Sequence, residues 1–141
     1  MKILVTGGST QVMIDKVRCI SNIFKGRTAW DIAIECGRNG FVEQKETYVK
    51  LLTSSTAYPT LTGYYIDEVE RFKTYDELYA LMEKEVTTGN YDVIIASAAV
   101  SDYFVEGTYV GAKIPGIESA EGLVKIDSSK KISSTENELY L

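Results

Sequence analysis

Two stretches of this sequence place small and hydroxyl-bearing residues where a backbone can close on a ligand. The first is Gly7-Gly8-Ser9-Thr10, at the end of the apolar run Lys2 to Thr6. Glycines there let backbone N–H groups approach a polyphosphate closely, although the third glycine of a dinucleotide fingerprint is missing. The second is Ala98-Ala99-Val100-Ser101-Asp102-Tyr103, closing the apolar stretch Asp92 to Val100. The chain contains no histidine, so His-based triads and His-ligated metals are excluded and acid–base work falls to Lys, Asp, Glu, Tyr or Cys. Cys19 and Cys36 form neither a C-x-x-C pair nor a zinc pattern, and no metal site is read. Cys19 lacks a base partner that would make it a nucleophile.

The elements that must position these residues follow from periodicity. Lys2 to Thr6 reads as a buried parallel strand stopped by a glycine turn. Ala29, Trp30, Ala33, Ile34 and Gly37 recur at helical spacing from Gly26 onward, with Gly37 and Gly40 as the stop. Tyr48 to Ser54 and Tyr64 to Val69 read as the second and third strands. Thr74-Tyr75-Asp76-Glu77 is a capping box opening a helix with Leu78, Leu81, Met82 and Val86 on one face, ending at Gly89-Asn90. Asp92 to Val100 reads as a fourth, central strand whose small residues leave room for a ligand. The alternation predicts an α/β fold: one Rossmann-like, doubly wound, mainly parallel sheet over residues 1–141. In the expected strand order, third-second-first-fourth, the first and fourth strands are neighbours, so Gly7–Thr10 and Ala98–Tyr103 face one crevice at the carboxyl ends of the strands. Residues 103–131 read as a mobile loop or lid region, irregular and glycine-rich over 104–122, and short C-terminal strands are expected at Leu123–Ile126, Lys131–Ser134 and Glu138–Leu141.

Composition narrows the function classes. The 141 residues carry a net charge of -5 with no basic cluster beyond Lys130-Lys131. Phosphate neutralisation on nucleic acid needs clustered Lys and Arg, so nucleic acid is not an expected partner. No apolar run approaches the ~18 residues of a membrane span, the start MKILVTGG is too short for a secretory signal, and the unpaired cysteines suit a reducing compartment. A cytoplasmic protein with no membrane contact is expected.

The residues Gly7-Gly8-Ser9-Thr10, Ile14-Asp15-Lys16-Val17-Arg18, Ile20-Ser21-Asn22 and Gly26 resemble the GGT...IDxVRxISNxSxG signature of phosphopantothenate-cysteine ligase. Ala98–Tyr103 is similar to the AAVxDY of that family, and Lys131-Ile132-Ser133-Ser134 to its KIxS motif. The three motifs occur in the family's order over nearly the whole chain. The resemblance implies an enzyme of coenzyme A synthesis that couples 4'-phosphopantothenate to cysteine with CTP or ATP. In such a reaction the carboxylate attacks the nucleotide α-phosphate, pyrophosphate leaves, and the cysteine amine then attacks the acyl nucleotidylate. Mg2+ would offset the polyphosphate charge that an acidic protein cannot neutralise alone. On this resemblance Gly7, Gly8, Ser9, Thr10, Ala98, Ala99 and Arg27 bind nucleotide, while Asn22, Asp102 and Lys131 serve the reacting centre. Lys131 would act from a closing lid, its charge serving mainly the transition state. Asp15 and Arg18 fit an ion pair and ligand contacts equally. The implied partners are phosphopantothenate, cysteine and nucleotide, with a homodimer suggested by the family and by the apolar ending Leu139-Tyr140-Leu141.

Departures from the family pattern matter. Ile23-Phe24-Lys25-Gly26-Arg27-Thr28-Ala29 stands where the family has a Ser-Ser-Gly-Lys type run, so hydroxyls that contact phosphate or pantothenate are lost, while Arg27 keeps a cation at the helix start. The family domain continues beyond the lysine motif, which makes a truncated or non-catalytic nucleotide-binding form an alternative. The flavin-dependent half fused upstream in many bacteria has no counterpart here, and no flavin is expected. A short-chain dehydrogenase is a second rival, through VTGG and the Y-x-x-x-K of Tyr109 to Lys113, but that motif belongs on a long helix and here lies among glycines. Gly8→Val is predicted to abolish nucleotide binding with the fold intact, and Asn22 and Asp102 are predicted to share one crevice.

Overall fold

A computed structural model describes residues 1–56, 65–113 and 121–132. The chain divides into two compact units, Met1–Gln11 with Ser21–Ser101, and Val12–Ile20 with Asp102–Leu141. The first unit is built on a parallel sheet. Its strands are β1 (Lys2–Gly7), β4 (Tyr48–Thr53), β5 (Glu68–Arg71) and β6 (Val93–Ala96), in the order β5-β4-β1-β6. Its helices are α1 (Arg27–Val42) and α2 (Tyr75–Thr88). A short hairpin of β2 (Gln11–Met13) and β3 (Cys19–Ser21) carries the chain across the boundary between the units. Every pairing in the four-stranded sheet is parallel, with Lys2 opposite Tyr48 and Ile3 opposite Val93.

Both faces of β1 are covered, which is why its sequence is continuously apolar rather than alternating. Ile3 and Val5 pack with Val49, Leu51 and Ile66 against Ala29 and Ala33 of α1, whereas Leu4 and Leu52 point to the opposite face and meet Phe72 and Leu78. The alternation of side chains along each strand therefore sorts one run of residues into two cores. Alanines at 29 and 33 keep α1 close to the sheet.

The third-second-first-fourth strand order stands as expected, and three boundaries move. Helix α1 runs through Gly37 and Gly40 to Val42 instead of stopping. At Gly37 an added Cβ would lie 1.9 Å from the Tyr65 carbonyl oxygen, so that glycine serves close packing within a helix. The third strand begins at Glu68, and Tyr64 lies outside the described residues. The fourth strand ends at Ala96 and, among the described residues, pairs only with β1, leaving Val93 and Ile94 39% and 42% exposed. An apolar sequence read as central thus lies at an edge.

The capping box forms as its sequence dictates. Thr74 Oγ1 accepts the Glu77 N–H at 3.3 Å, and Glu77 Oε2 accepts the Thr74 N–H at 3.2 Å. Thr74→Ala is expected to cost about 1 kcal/mol of stability, measured as a lower denaturant midpoint, with Thr74→Ser recovering most of it.

In the second unit, β7 (Thr108–Lys113) and β8 (Glu121–Ile126) pair antiparallel, Thr108 opposite Ile126. The segment read as irregular over 104–122 therefore contains β7 and the start of β8, because ladder pairing between distant residues compensates for weak local preference. The expected strand at Leu123–Ile126 falls within β8. Lys131 and Ile132 are not in a strand, and 133–141, including the expected strand at Glu138–Leu141, lie outside the described residues. Tyr109 and Lys113 both belong to β7. Four residues along a strand span about 13 Å, against about 6 Å on a helix, so the dehydrogenase arrangement is not formed.

Candidate functional site

The carboxyl end of β1 is shaped by two glycines with positive φ. Gly8 has φ 91° and Gly26 has φ 76°. A Cβ on Gly26 would sit 2.7 Å from the Gly8 backbone nitrogen, so the start of α1 rests directly on the turn after β1. Gly26 is the N-cap of α1 and offers no side-chain cap, and no acidic residue occupies the helix's first turn. Among the described residues, the first N–H groups of α1 and the positive end of its dipole therefore have no cap or first-turn carboxylate as a partner.

A cleft of about 320 Å³ opens at this point, lined by Gly8, Lys25, Gly26, Arg27, Ser97 and Ala99 among others. A second cleft of about 370 Å³ is lined by Ser9, Gln11, Ser21, Asn22, Ser54 and Thr56, with Phe24 and Lys25 common to both. Among the described residues, neither cleft is lined by a carboxylate. In a chain of net charge -5, the charged side chains among the described lining residues are Lys25 and Arg27, with Asp31 3.6 Å from Arg27. Such a lining suits an anion beside Lys25 and Arg27 and offers hydrogen-bonding groups at Ser9, Ser21, Asn22 and Ser54.

The predicted nucleotide-binding residues separate by role. Gly8 lines the first cleft and Ser9 the second. Ser9 donates its N–H to Ser54 Oγ at 2.7 Å, and its hydroxyl lies 3.1 Å from Ser21 Oγ. Gly7 faces α1, where a Cβ would meet the Ala29 Cβ at 2.1 Å. Thr10 is wholly buried, and its hydroxyl accepts the Ser101 N–H at 2.8 Å. Of the alanine pair, Ala99 lines the cleft while Ala98 packs against the Leu4 and Phe72 core. Ala99 also ties the two strand ends together, its N–H donating to the Gly8 carbonyl at 2.8 Å and its carbonyl accepting from Thr10 N–H at 3.2 Å. Arg27 is exposed at the cleft and 3.6 Å from Asp31.

Asn22 donates through Nδ2 to the Ala99 carbonyl at 3.3 Å and lines the second cleft. It belongs to the first unit, whereas Asp102 and Lys131 are exposed residues of the second. Lys131 precedes Ile132, which is buried and hydrogen-bonded through its backbone to Asp15 and Arg18. Asp15 is itself buried. Burial pushes its carboxyl pKa up, but the N–H groups of Ile132, Val17 and Arg18 and the Arg18 guanidinium outweigh that and hold it well below the ordinary carboxylate range. Burial and the nearby Glu35 push the Cys36 thiol pKa up, the reverse of an activated nucleophile.

The sequence reading missed Ser21, Lys25, Ser54 and Thr56. For Ser54 and Thr56 the signal was the Ser/Thr run at the end of the buried strand β4, which neighbours β1. The expectation for Gly8→Val also changes. A Cβ there would lie 2.2 Å from Ser54 Oγ and 3.0 Å from its backbone nitrogen, so with φ at 91° the substitution strains the fold as well as blocking the cleft.

Residues 1–132 match the family model described as the DNA/pantothenate metabolism flavoprotein C-terminal domain. The chain belongs to this family. Relatives named Coenzyme A biosynthesis bifunctional protein CoaBC are 30% identical in Thermococcus kodakarensis and 32% identical in Methanocaldococcus jannaschii. Each alignment covers 105 residues, 74% of this chain and 24% and 23% of the respective relatives, so the chain spans about a quarter of their length. The crystal structure of the C-terminal domain of a protein of the same name superposes with a TM-score of 0.58 at 25% identity, over 74% of this chain and 48% of that one. Among the described residues, no helix is long and apolar enough to cross a membrane.

Proposed function

We propose that this chain is a phosphopantothenate-cysteine ligase domain that activates the carboxylate of 4'-phosphopantothenate with CTP or ATP and passes the acyl group to cysteine. The observation that carries the reading is the pair of clefts at the β1 and α1 junction, lined among the described residues by Lys25 and Arg27 and by no carboxylate, in a chain whose relatives bear a coenzyme A biosynthesis name. The free N–H groups of α1, with Lys25 and Arg27, fit a phosphate group. The hydroxyls and amides of the second cleft fit a polar uncharged portion of a substrate.

In this reading a carboxylate oxygen bonds to the nucleotide α-phosphorus as the bond to pyrophosphate breaks. The cysteine amine then bonds to the acyl carbon, nucleoside monophosphate leaves, and the amine loses a proton. Asn22 supplies a polar contact near the second cleft, Asp102 contacts substrate, and Lys131 offsets negative charge developing in the first step. Among the described residues no three His, Cys, Asp or Glu converge as ligands. Mg2+ would travel on the nucleotide phosphates, its usual mode in nucleotide enzymes, and lower their repulsion toward the attacking carboxylate. The soluble substrates suit a cytoplasmic enzyme.

Calorimetry of the chain with CTP, ATP and NADPH, each with Mg2+, tests the reading. Binding of CTP or ATP is expected, and a preference for NADPH would overturn it. In the ligation assay, Lys131→Gln is expected to slow acyl-nucleotidylate formation about 100-fold while leaving nucleotide affinity nearly unchanged. Lys130→Gln makes the same charge change one residue away and is expected to do little; equal effects from the two would remove Lys131 from the mechanism.

A further inference from the structure

Asp15 and Arg18, equally suited by sequence to an ion pair or to ligand contacts, direct their polar atoms at each other and at one distant residue. Asp15 Oδ1 accepts the N–H groups of Val17 and Arg18, both at 2.8 Å, closing the turn between β2 and β3. Asp15 Oδ2 accepts Arg18 Nε at 2.9 Å and the Ile132 N–H at 3.0 Å. A terminal nitrogen of Arg18 lies 2.8 Å from Asp15 Oδ2 and donates to the Ile132 carbonyl at 2.8 Å. Both backbone polar groups of Ile132 are thus held by one ion pair, across 117 and 114 positions of sequence, and Ile132 is 4% exposed. All of these residues belong to the second unit.

We propose that Asp15 and Arg18 form a clasp that fixes the backbone at Ile132 and so sets the position of Lys131 for its nucleotide substrate. The inference rests on the ligase reading only in assigning Lys131 to the reaction. Both are positioning residues, acting through the lysine. A lysine side chain has several freely rotating bonds, and its charge serves a transition state only when its Cα is already held in register. Charge-assisted bonds to both backbone groups of the next residue supply that hold. A clasp, unlike a swinging lid, leaves only the side chain to be ordered.

The pair's chemistry makes its two substitutions informative. Asp15→Asn places an NH2 group where Oδ2 now accepts, so it would confront the Ile132 N–H and the guanidinium with a donor. Arg18→Lys keeps the charge but replaces a fork by a single point donor, which cannot hold Asp15 and the Ile132 carbonyl in the same geometry. Each variant is combined with Lys131→Gln, after circular dichroism has shown that it folds. Arg18→Lys serves if Asp15→Asn does not fold.

The expected result is that each single variant lowers kcat by about 10- to 100-fold with little change in nucleotide KM, and that it costs nothing further in the Lys131→Gln background. Additive losses would show a purely structural pair and overturn the proposal. A second measurement separates this inference from the ligase reading: acylation of lysines by a succinimidyl ester, followed by mass spectrometry with and without Mg2+–CTP and Mg2+–ATP. Shielding of Lys131 by nucleotide in the wild type and its loss in both variants supports the clasp, even where no ligation product forms and the ligase reading falls. Shielding that is equal in wild type and variants, or absent from all, overturns it.

Discussion

Gly26→Val is expected to lower the stability of the chain by about 2–6 kcal/mol and to remove phosphate binding with it. Two effects add. The residue sits at φ 76°, where a β-branched side chain costs about 1–3 kcal/mol. Its Cβ would also lie 2.7 Å from the Gly8 nitrogen, 3.0 Å from the Gly8 Cα and 3.2 Å from the Gly7 carbonyl carbon, all backbone atoms that cannot rotate away, which adds about 1–3 kcal/mol of overpacking. The start of α1 must then move off the turn after β1, and the N–H groups of the helix lose their place in the cleft. Domains are stable by only about 5–15 kcal/mol, so a large share of the total is at stake. Guanidinium unfolding read by far-UV circular dichroism measures the loss, and calorimetry with inorganic pyrophosphate measures the binding. Arg27→Ala, at the exposed neighbour, is expected to weaken binding with the unfolding midpoint unchanged. A Gly26→Val protein with a wild-type midpoint would contradict the close approach of the two glycines.

The second large effect belongs to a buried lysine. Lys50, on β4, is 3% exposed and faces the α2 side of the sheet. Its ammonium lies 2.7 Å from Glu68, 2.9 Å from Glu70 and 2.8 Å from Glu85. Tyr91 donates to Glu85 at 2.6 Å, and Tyr48 to Glu68 at 2.7 Å. Removing the buried cation leaves buried or half-buried carboxylates with only the exposed Lys84, 3.4 Å from Glu85, beside them among the described residues, and Lys50→Met is expected to cost about 3–5 kcal/mol. Replacing Glu85 as well, in a Lys50→Met/Glu85→Leu variant, should recover part of that, because the most buried uncompensated charge is then gone. A loss below about 1 kcal/mol for Lys50→Met would place the cluster among ordinary surface pairs.

The cluster also gives the stability a pH dependence. Burial pushes the Glu85 pKa up, but Lys50, Tyr91 and Lys84 outweigh it and hold the carboxyl at about 2, against an ordinary 4.5. A depressed folded pKa contributes stability above the unfolded value that is lost as pH falls through the folded one. The wild type should therefore lose stability progressively between roughly pH 5 and pH 2. For Lys50, burial lowers the pKa but Glu68, Glu85 and Glu70 raise it further than burial lowers it. Its contribution is complete below the unfolded value and is lost only as pH rises toward the folded one. Urea midpoints across acid pH should show the slope in the wild type and a flatter profile in Lys50→Met.

How much of this was legible in the sequence follows from the range of each interaction. The β1 run, the capping box at Thr74 and Glu77 and the helix over Ala29 and Ala33 follow from periodicity and local capping, which act within a few residues, and the strand order from the crossover rules of alternating strands and helices. The motif glycines marked the right strand end for the same reason. Tertiary structure decided what distant residues do to one another. Gly37 reads as a helix stop until Tyr65 is seen against it, and Gly7 and Thr10 read as ligand contacts until Ala29 and Ser101 take them up. Ser54 enters the site only because β4 lies beside β1. Lys50 looks like an exposed lysine in a strand until β5 and α2 bring carboxylates to it. Asp15 and Arg18 reach Ile132 across 117 and 114 positions of sequence. Local patterns fix backbone geometry because their energies are local. Which side chain meets a ligand and which meets the protein depends on pairings that only the folded chain brings within hydrogen-bonding distance.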